Sequence, residues 1–226
     1  MGNTLSFGKS KGGAAGSKIQ YMELERGDNT FRIIGGLLPY YKYWIKSPTG
    51  QSIPMECLQF NRMEEEFDNS AEDPVKELGL KDPFDPSKDL TCKWAYMVQV
   101  INRKTKQVEV LELKKDIFTG IQSVAEQLEA DPADLENGFE VVVKKAKTGP
   151  KVYNVEYSVR ELMCKQKPVT DEDRALIAKA KDISELFPRK TPAEQRADLV
   201  RIMTPRNEDS DPDPDVDPKL GIDDID

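Results

Sequence analysis

Between residues 94 and 128 the hydrophobic period of this chain changes once, from two residues to about 3.6, and that change limits what can be built around it. Trp94, Tyr96, Val98 and Val100 alternate with Ala95, Met97, Gln99 and Ile101, the pattern of a half-buried strand. Residues 102–106, NRKTK, are polar and cationic and suit a hairpin loop. Residues 107–113 resume the strand, with Val108 and Val110 on one side and Leu111 and Leu113 on the other. Ile117, Ile121, Val124 and Leu128 then recur at helical spacing, with Phe118 and Ala125 beside them. A two-stranded hairpin running into an amphipathic helix is the expected centre of the fold.

The same unit carries chemistry. Aromatic rings alternate along a strand beside Lys93, and the loop brings Arg103, Lys104 and Lys106. Rings stack bases and cations hold phosphates, which is the equipment for single-stranded nucleic acid. Trp94 and Tyr96 as plain core residues, with NRKTK a solvated turn, is the alternative. A second stretch, 40–46 (YYKYWIK), puts Tyr41, Tyr43 and Ile45 on one strand face and Tyr40, Lys42, Trp44 and Lys46 on the other. Rings mixed with ammonium groups suit a stacking, phosphate-binding surface. An edge strand whose amphipathic rings half cover the core would read the same way. Residues 55–62 return as a strand with Phe60 and Arg62 on one side. The theme recurs at 139–159. There a strand is followed by the basic loop KKAKTGPK, with Lys144, Lys145 and Lys151, and by a strand with Tyr153, Val155, Tyr157 and Val159 on one face.

Charge must be located before it is interpreted. The formal net charge is −8, yet residues 207–226 alone hold nine acids and one lysine. Removing those from the 41 acids and 33 bases leaves 32 charges of each sign, so the body is neutral and the acidity is a tail. Histidine is absent, which removes the commonest general base and the commonest zinc ligand. Cys57, Cys92 and Cys164 are widely spaced and odd in number, fitting neither a disulfide framework nor a metal motif, and they point to a reducing compartment. No apolar run approaches the roughly 18 residues of a membrane helix. No cofactor or metal is expected. A carboxylate-metal nuclease would need several acids on neighbouring ordered elements, whereas most clustered acids fall in loops or the tail.

Four regions follow in chain order. Residues 1–18 are Gly, Ser, Ala and Lys rich and make a flexible basic arm. Residues 19–160 form the core, with 30–34 a short strand stopped by Gly35-Gly36 and 63–87 an acidic insertion. Residues 161–205 add two helices. Thr170 caps the first, whose apolar face is Leu176, Ile177, Ala180, Ile183 and Phe187; Thr191-Pro192-Ala193-Glu194 opens the second. Residues 206–226, with three Asp-Pro steps, form a disordered acidic tail. The fold class is mainly β with helices (α+β): an OB-type five-stranded barrel with an internal helix before the last hairpin and C-terminal helices.

Asn29-Thr30-Phe31-Arg32-Ile33-Ile34, the run Lys93-Trp94-Ala95-Tyr96-Met97-Val98-Gln99-Val100, the strand and helix from 108 to 128, and the acidic end resemble the single-stranded-DNA-binding (helix-destabilising) proteins of tailed phages, the T-even type among them. The similarity covers about residues 25–160 and the tail. The T-even proteins carry a Cys/His zinc module where this chain has 63–87, with neither residue, and their basic N-terminal motif is denser than Lys9-Ser10-Lys11. The resemblance implies a non-enzymatic protein of phage DNA replication, recombination and repair, in the cytoplasm of an infected bacterial host. Bases would stack on Tyr40, Trp44, Trp94, Tyr96 and Tyr153. Phosphates would meet Arg32, Lys42, Lys46, Lys93, Arg103, Lys104, Lys106, Lys144, Lys145 and Lys151, with Phe60 and Arg62 nearby. The tail residues Leu220, Ile222, Asp223, Asp224, Ile225 and Asp226 would dock replication proteins, and the N-terminal arm could support self-association. An OB-type module for RNA or protein is the competing function.

Overall fold

In the computed structural model the described residues are 19–204, apart from 84, 152 and 153. The expectations for the N-terminal arm, for Tyr153 and for the tail, including its docking residues, therefore lie outside them.

The chain folds as a mixed α+β structure around one antiparallel sheet. Its strands are β1 (Gly27–Lys46), β2 (Ser52–Glu56), β5 (Lys93–Asn102), β6 (Gln107–Leu113), β7 (Glu140–Lys147) and β8 (Val155–Val159). They run in the order β6-β5-β1-β7-β8, with β2 also pairing β1. A two-stranded hairpin, β3 (Phe60–Asn61) and β4 (Glu66–Phe67), stands apart. The expected unit at 94–128 is present: β5 and β6 pair from Tyr96↔Leu113 to Asn102↔Gln107, and helix α2 (Lys115–Leu128) follows. Closing the sheet into a barrel needs a ladder between β6 and β8, and none is found among the described residues. At Val110 the outer edge of β6 is instead taken by the segment around Tyr21, through Met22 N to Val110 O and Val110 N to Gln20 O, both 2.8 Å.

One sequence expectation fails instructively. Residues 30–34 and 40–46 are not two strands broken by Gly35-Gly36; they are one strand of 20 residues. Gly35 takes φ +72, and the pairing with β5 shifts register between Ile34 and Leu38. The glycines form a bulge that bends the strand without ending it, since only glycine reaches that backbone region cheaply. The bent strand can then pair β7 with its first third and β2 with its last.

The central strands are buried on both faces. Ala95–Asn102 of β5 is buried throughout, so 94–101 is not the half-buried strand its alternation suggested, because Met97 on the second face packs with Leu38, Val110 and Ile183. Phe31, Ile33, Tyr96, Val98, Val100, Leu111 and Leu113 meet Ile117, Ile121 and Val124 of α2 and Val141 and Val143 of β7 in the main core. A second cluster joins Tyr43, Ile45, Met55, Cys57 and Phe60 to Val75 and Leu199. The insertion is pinned here rather than laid on the scaffold. Buried Asp73 caps α1 (Pro74–Glu77) through Val75 N and Lys76 N, and also accepts from Leu58 N at 2.9 Å and the Tyr43 hydroxyl at 3.3 Å. In the C-terminal region Thr191 forms a capping box with Glu194, as its spacing suggests, and Thr170 caps as expected and also makes a box with Asp173. The first expected helix is split into α3 (Asp171–Ile177) and α4 (Ile183–Leu186), because Asp182 caps a new start by accepting from Ser184 N. Helix α5 (Pro192–Met203) is the last of the described elements.

Candidate nucleic-acid interface

Antiparallel partners share a face of the sheet, so the register of β1 with β5 sorts the aromatic and basic residues. Tyr41 opposes Trp94, and Lys42 opposes Lys93. The predicted residues are thereby divided between two surfaces.

On the first surface lie Tyr40, Lys42, Trp44, Lys46 and Lys93, and most of their charge is already matched. Lys42 is 5% exposed, its Nζ 2.5 Å from Glu112 and 4.5 Å from the centre of the Trp44 ring. Arg62 makes two 2.7 Å bonds to Glu56, donates to Phe187 O at 2.9 Å, and lies over the Tyr40 ring. Burial pushes the Tyr40 hydroxyl pKa up, and Glu56 adds to the shift. Lys46 and Lys93 are exposed.

On the second surface half-exposed rings form a row. Phe67 of β4, 45% exposed, meets Tyr41 at 4.8 Å and Phe60 at 5.3 Å. Tyr41 faces Trp94 across the β1–β5 ladder. Trp94 stands edge-on to Tyr96 at 4.6 Å and to Phe118 at 5.5 Å. One turn before Phe118, the Lys114 ammonium lies 4.7 Å from the Tyr157 ring, and Lys145 approaches the same ring at 5.7 Å. Helix α2 can lie close to β8 because Gly120 faces Val159, where a Cβ would come within 2.6 Å of a methyl group. The row therefore crosses β4, β1, β5, α2 and β8. Lys114 and Tyr157 were not singled out from sequence. The alternation of Tyr153, Val155 and Tyr157 was the available signal, with Lys145 across the expected hairpin, but Lys114 reaches Tyr157 from the start of α2, which the sequence does not show to be adjacent.

Other predicted contacts are committed inside the molecule. Arg32, expected on DNA, has 0% exposure: it donates to Lys167 O at 2.9 Å and to Asp134 O, and burial lowers its pKa. Arg103 bridges Glu140 at 2.8 Å and Asp173 at 2.6 Å, tying β5 and β7 to α3, and those partners raise its pKa. Phe60 is buried. These three are corrections. Arg32 and Arg103 sit where the C-terminal region covers the sheet, a long-range contact with no local sequence sign. Lys104 is exposed and pairs with Glu25 at 2.6 Å; Lys106 and Lys151 are exposed; Lys144 is half-buried beside Asp28. Tyr96 is 7% exposed and donates its hydroxyl to Glu65; burial first, then that bond, raises its pKa to about 12.

Among the described residues no group of three or more Cys, Asp or Glu could hold a metal ion, and no helix is long and apolar enough to cross a membrane. The arrangement supplies stacking rings and ammonium groups.

No protein-family model matches the chain. It is 34% identical over 178 residues to the "probable ssDNA-binding protein" of Escherichia phage T5, an alignment covering 74% of this chain and 64% of that protein. The chain thus spans a little under two thirds of its relative's length. The resemblance to phage single-stranded-DNA-binding proteins holds over most of this chain.

Proposed function

We propose that this relative of a phage single-stranded-DNA-binding protein itself binds single-stranded DNA, without enzymatic activity, in the replication, recombination and repair of phage DNA inside an infected bacterium. The row from Phe67 to Tyr157 carries the reading: a succession of rings, with Lys114 and Lys145 beside the last of them as candidates to meet the backbone. Bases would stack on Tyr41, Trp94, Phe118 and Tyr157. Lys46, Lys93, Lys106 and Lys151 on neighbouring surfaces would extend the phosphate path. Kinship to a protein named for this ligand supports the same reading.

The sheet is best understood as an OB-type barrel. Its order β6-β5-β1-β7-β8, with α2 between β6 and β7, supports that reading. The acidic tail, beyond the described residues, is proposed to compete with DNA for the cationic surface and to recruit replication proteins once displaced. Self-association would fall to the N-terminal arm.

Titration of intrinsic fluorescence with oligo-dT tests the function, and competition with oligo-rU tests the ligand. Binding to dT that rU cannot displace supports the proposal. Equal competition favours the RNA-binding module, because stacking alone does not distinguish the sugars.

A further inference from the structure

Tyr96 is the covered ring of the row. Trp94 and Phe118 on either side of it are half-exposed, whereas Tyr96 is 7% exposed and its hydroxyl is held by the Glu65 carboxylate. Glu65 sits at the tip of the β3–β4 hairpin, where Met63, Glu64, Glu65 and Glu66 are all exposed. The base of the hairpin is firmly held. Arg62 is clamped to Glu56, Phe60 and Phe67 pack on Tyr41, and Asn61 Oδ1 accepts from Met63 N at 2.9 Å. The tip is different: Met63 is 92% exposed, and Glu65 has φ +53, a left-handed conformation unfavourable for a glutamate. A strained tip on a rigid base thus places negative charge against the middle of an aromatic row.

We propose that this acidic tip is a built-in competitor of single-stranded DNA, with the Glu65 carboxylate occupying the Tyr96 hydroxyl and the ring edge that a nucleotide takes when it binds. The inference rests on the single-stranded-DNA reading of the row. Its consequence is an extra energetic threshold for binding. A strand that fills the row must first release Glu65, so binding of isolated nucleotides is suppressed relative to longer strands that also engage Trp94 and Tyr157. Position also matters more than charge: Glu65 acts by contact, whereas Glu66, its neighbour of equal charge, acts only through the general field.

The test uses the full chain and two variants, Glu65→Asn and Glu66→Gln. Asparagine suits the left-handed backbone but is too short to reach Tyr96, so folding is preserved, as a thermal melt verifies. In oligo-dT titrations at low salt, Glu65→Asn should bind about 3- to 10-fold tighter than wild type, the range of one typical net hydrogen bond removed from the competition. Glu66→Gln, which removes the same charge, should gain clearly less. Equal gains, or none for Glu65→Asn, would overturn the proposal. A second readout needs no DNA: nitration of Tyr96 by tetranitromethane, mapped by mass spectrometry, should rise in Glu65→Asn over wild type. Unchanged protection of Tyr96 overturns the competitor role even if affinity shifts. Wild-type protein that binds no oligo-dT would defeat the functional reading, and the nitration result would still decide whether the tip covers Tyr96.

Discussion

Trp94 shows why single residues had to be placed before they could be assigned. Its alternation with Ala95 fits a core ring and a stacking ring equally, and it proves to be a half-buried ring packed edge-on against Tyr96 and Phe118. Trp94→Ala should weaken oligo-dT binding by about 1–3 kcal/mol, the worth of one stacking ring. Its cost in stability should stay below the roughly 3–5 kcal/mol of a fully buried tryptophan. A binding curve and a melt on the same sample check both. Lys114→Ala and Lys145→Ala should each lower the salt slope by about 0.7, because a strand with one phosphate fewer neutralised releases one counterion fewer; an unchanged slope would remove that lysine from the path. Arg103 predicts the opposite. Its removal leaves Glu140 and Asp173 without their partner, and Arg103→Ala should cost about 2 kcal/mol of stability, less than a fully buried pair, while leaving DNA affinity intact. The pH dependence follows. Burial alone would raise the Asp173 carboxyl, but Arg103 and the Thr170 cap outweigh it and hold it below the usual range. Its stabilisation is therefore complete above the unfolded value of about 3.9 and is lost as pH falls through the lower folded value. Melts from pH 6 to 3 should show the gap between wild type and Arg103→Ala closing at the acid end.

At the level of elements, strands 93–102 and 107–113, helix 115–128 and both threonine caps were legible because their signals are local: period, turn chemistry and a cap three residues from its acid. The long β1 was not, because Gly35-Gly36 reads as a stop while tertiary pairing makes it a bulge. Gly35→Ala should cost about 1–2 kcal/mol from backbone strain alone, since no atom lies within 4 Å of the added methyl. Gly36→Ala, equally open and without a positive φ, should be nearly neutral. Chemical denaturation of the two variants separates the cases; equal destabilisation would mean that the bulge does not depend on the Gly35 conformation. The candidate site was half legible. Trp94 and Tyr96 stood out on a strand, and Lys144 and Lys145 in a basic loop that proves to be the continuation of β7, but Lys114, Phe118 and Tyr157 join the row only because α2 packs on β5 and β8. Arg32 and Arg103 were misassigned because cations on a strand or turn look alike whether they meet a phosphate, a backbone carbonyl or a carboxylate of the same chain.

For the whole molecule, the neutral body and the −8 of residues 207–226 set up a competition that depends on ionic strength. Truncation before residue 207 should tighten DNA binding most at low salt, because a tethered anion acts at high effective concentration, and the gain should fade near 1 M salt, where the screening length is about 3 Å. Equal affinities at low salt would leave the tail a solubilising segment. The central claim, that the row through Trp94 binds single-stranded DNA, is tested most directly in a Trp44→Phe variant, which leaves Trp94 as the one tryptophan reporter. Oligo-dT should quench Trp94 fluorescence saturably, with an affinity that falls linearly in log–log plots against salt at about 0.7 per phosphate contact. Binding that leaves Trp94 emission unchanged, or no binding at all, would contradict the account.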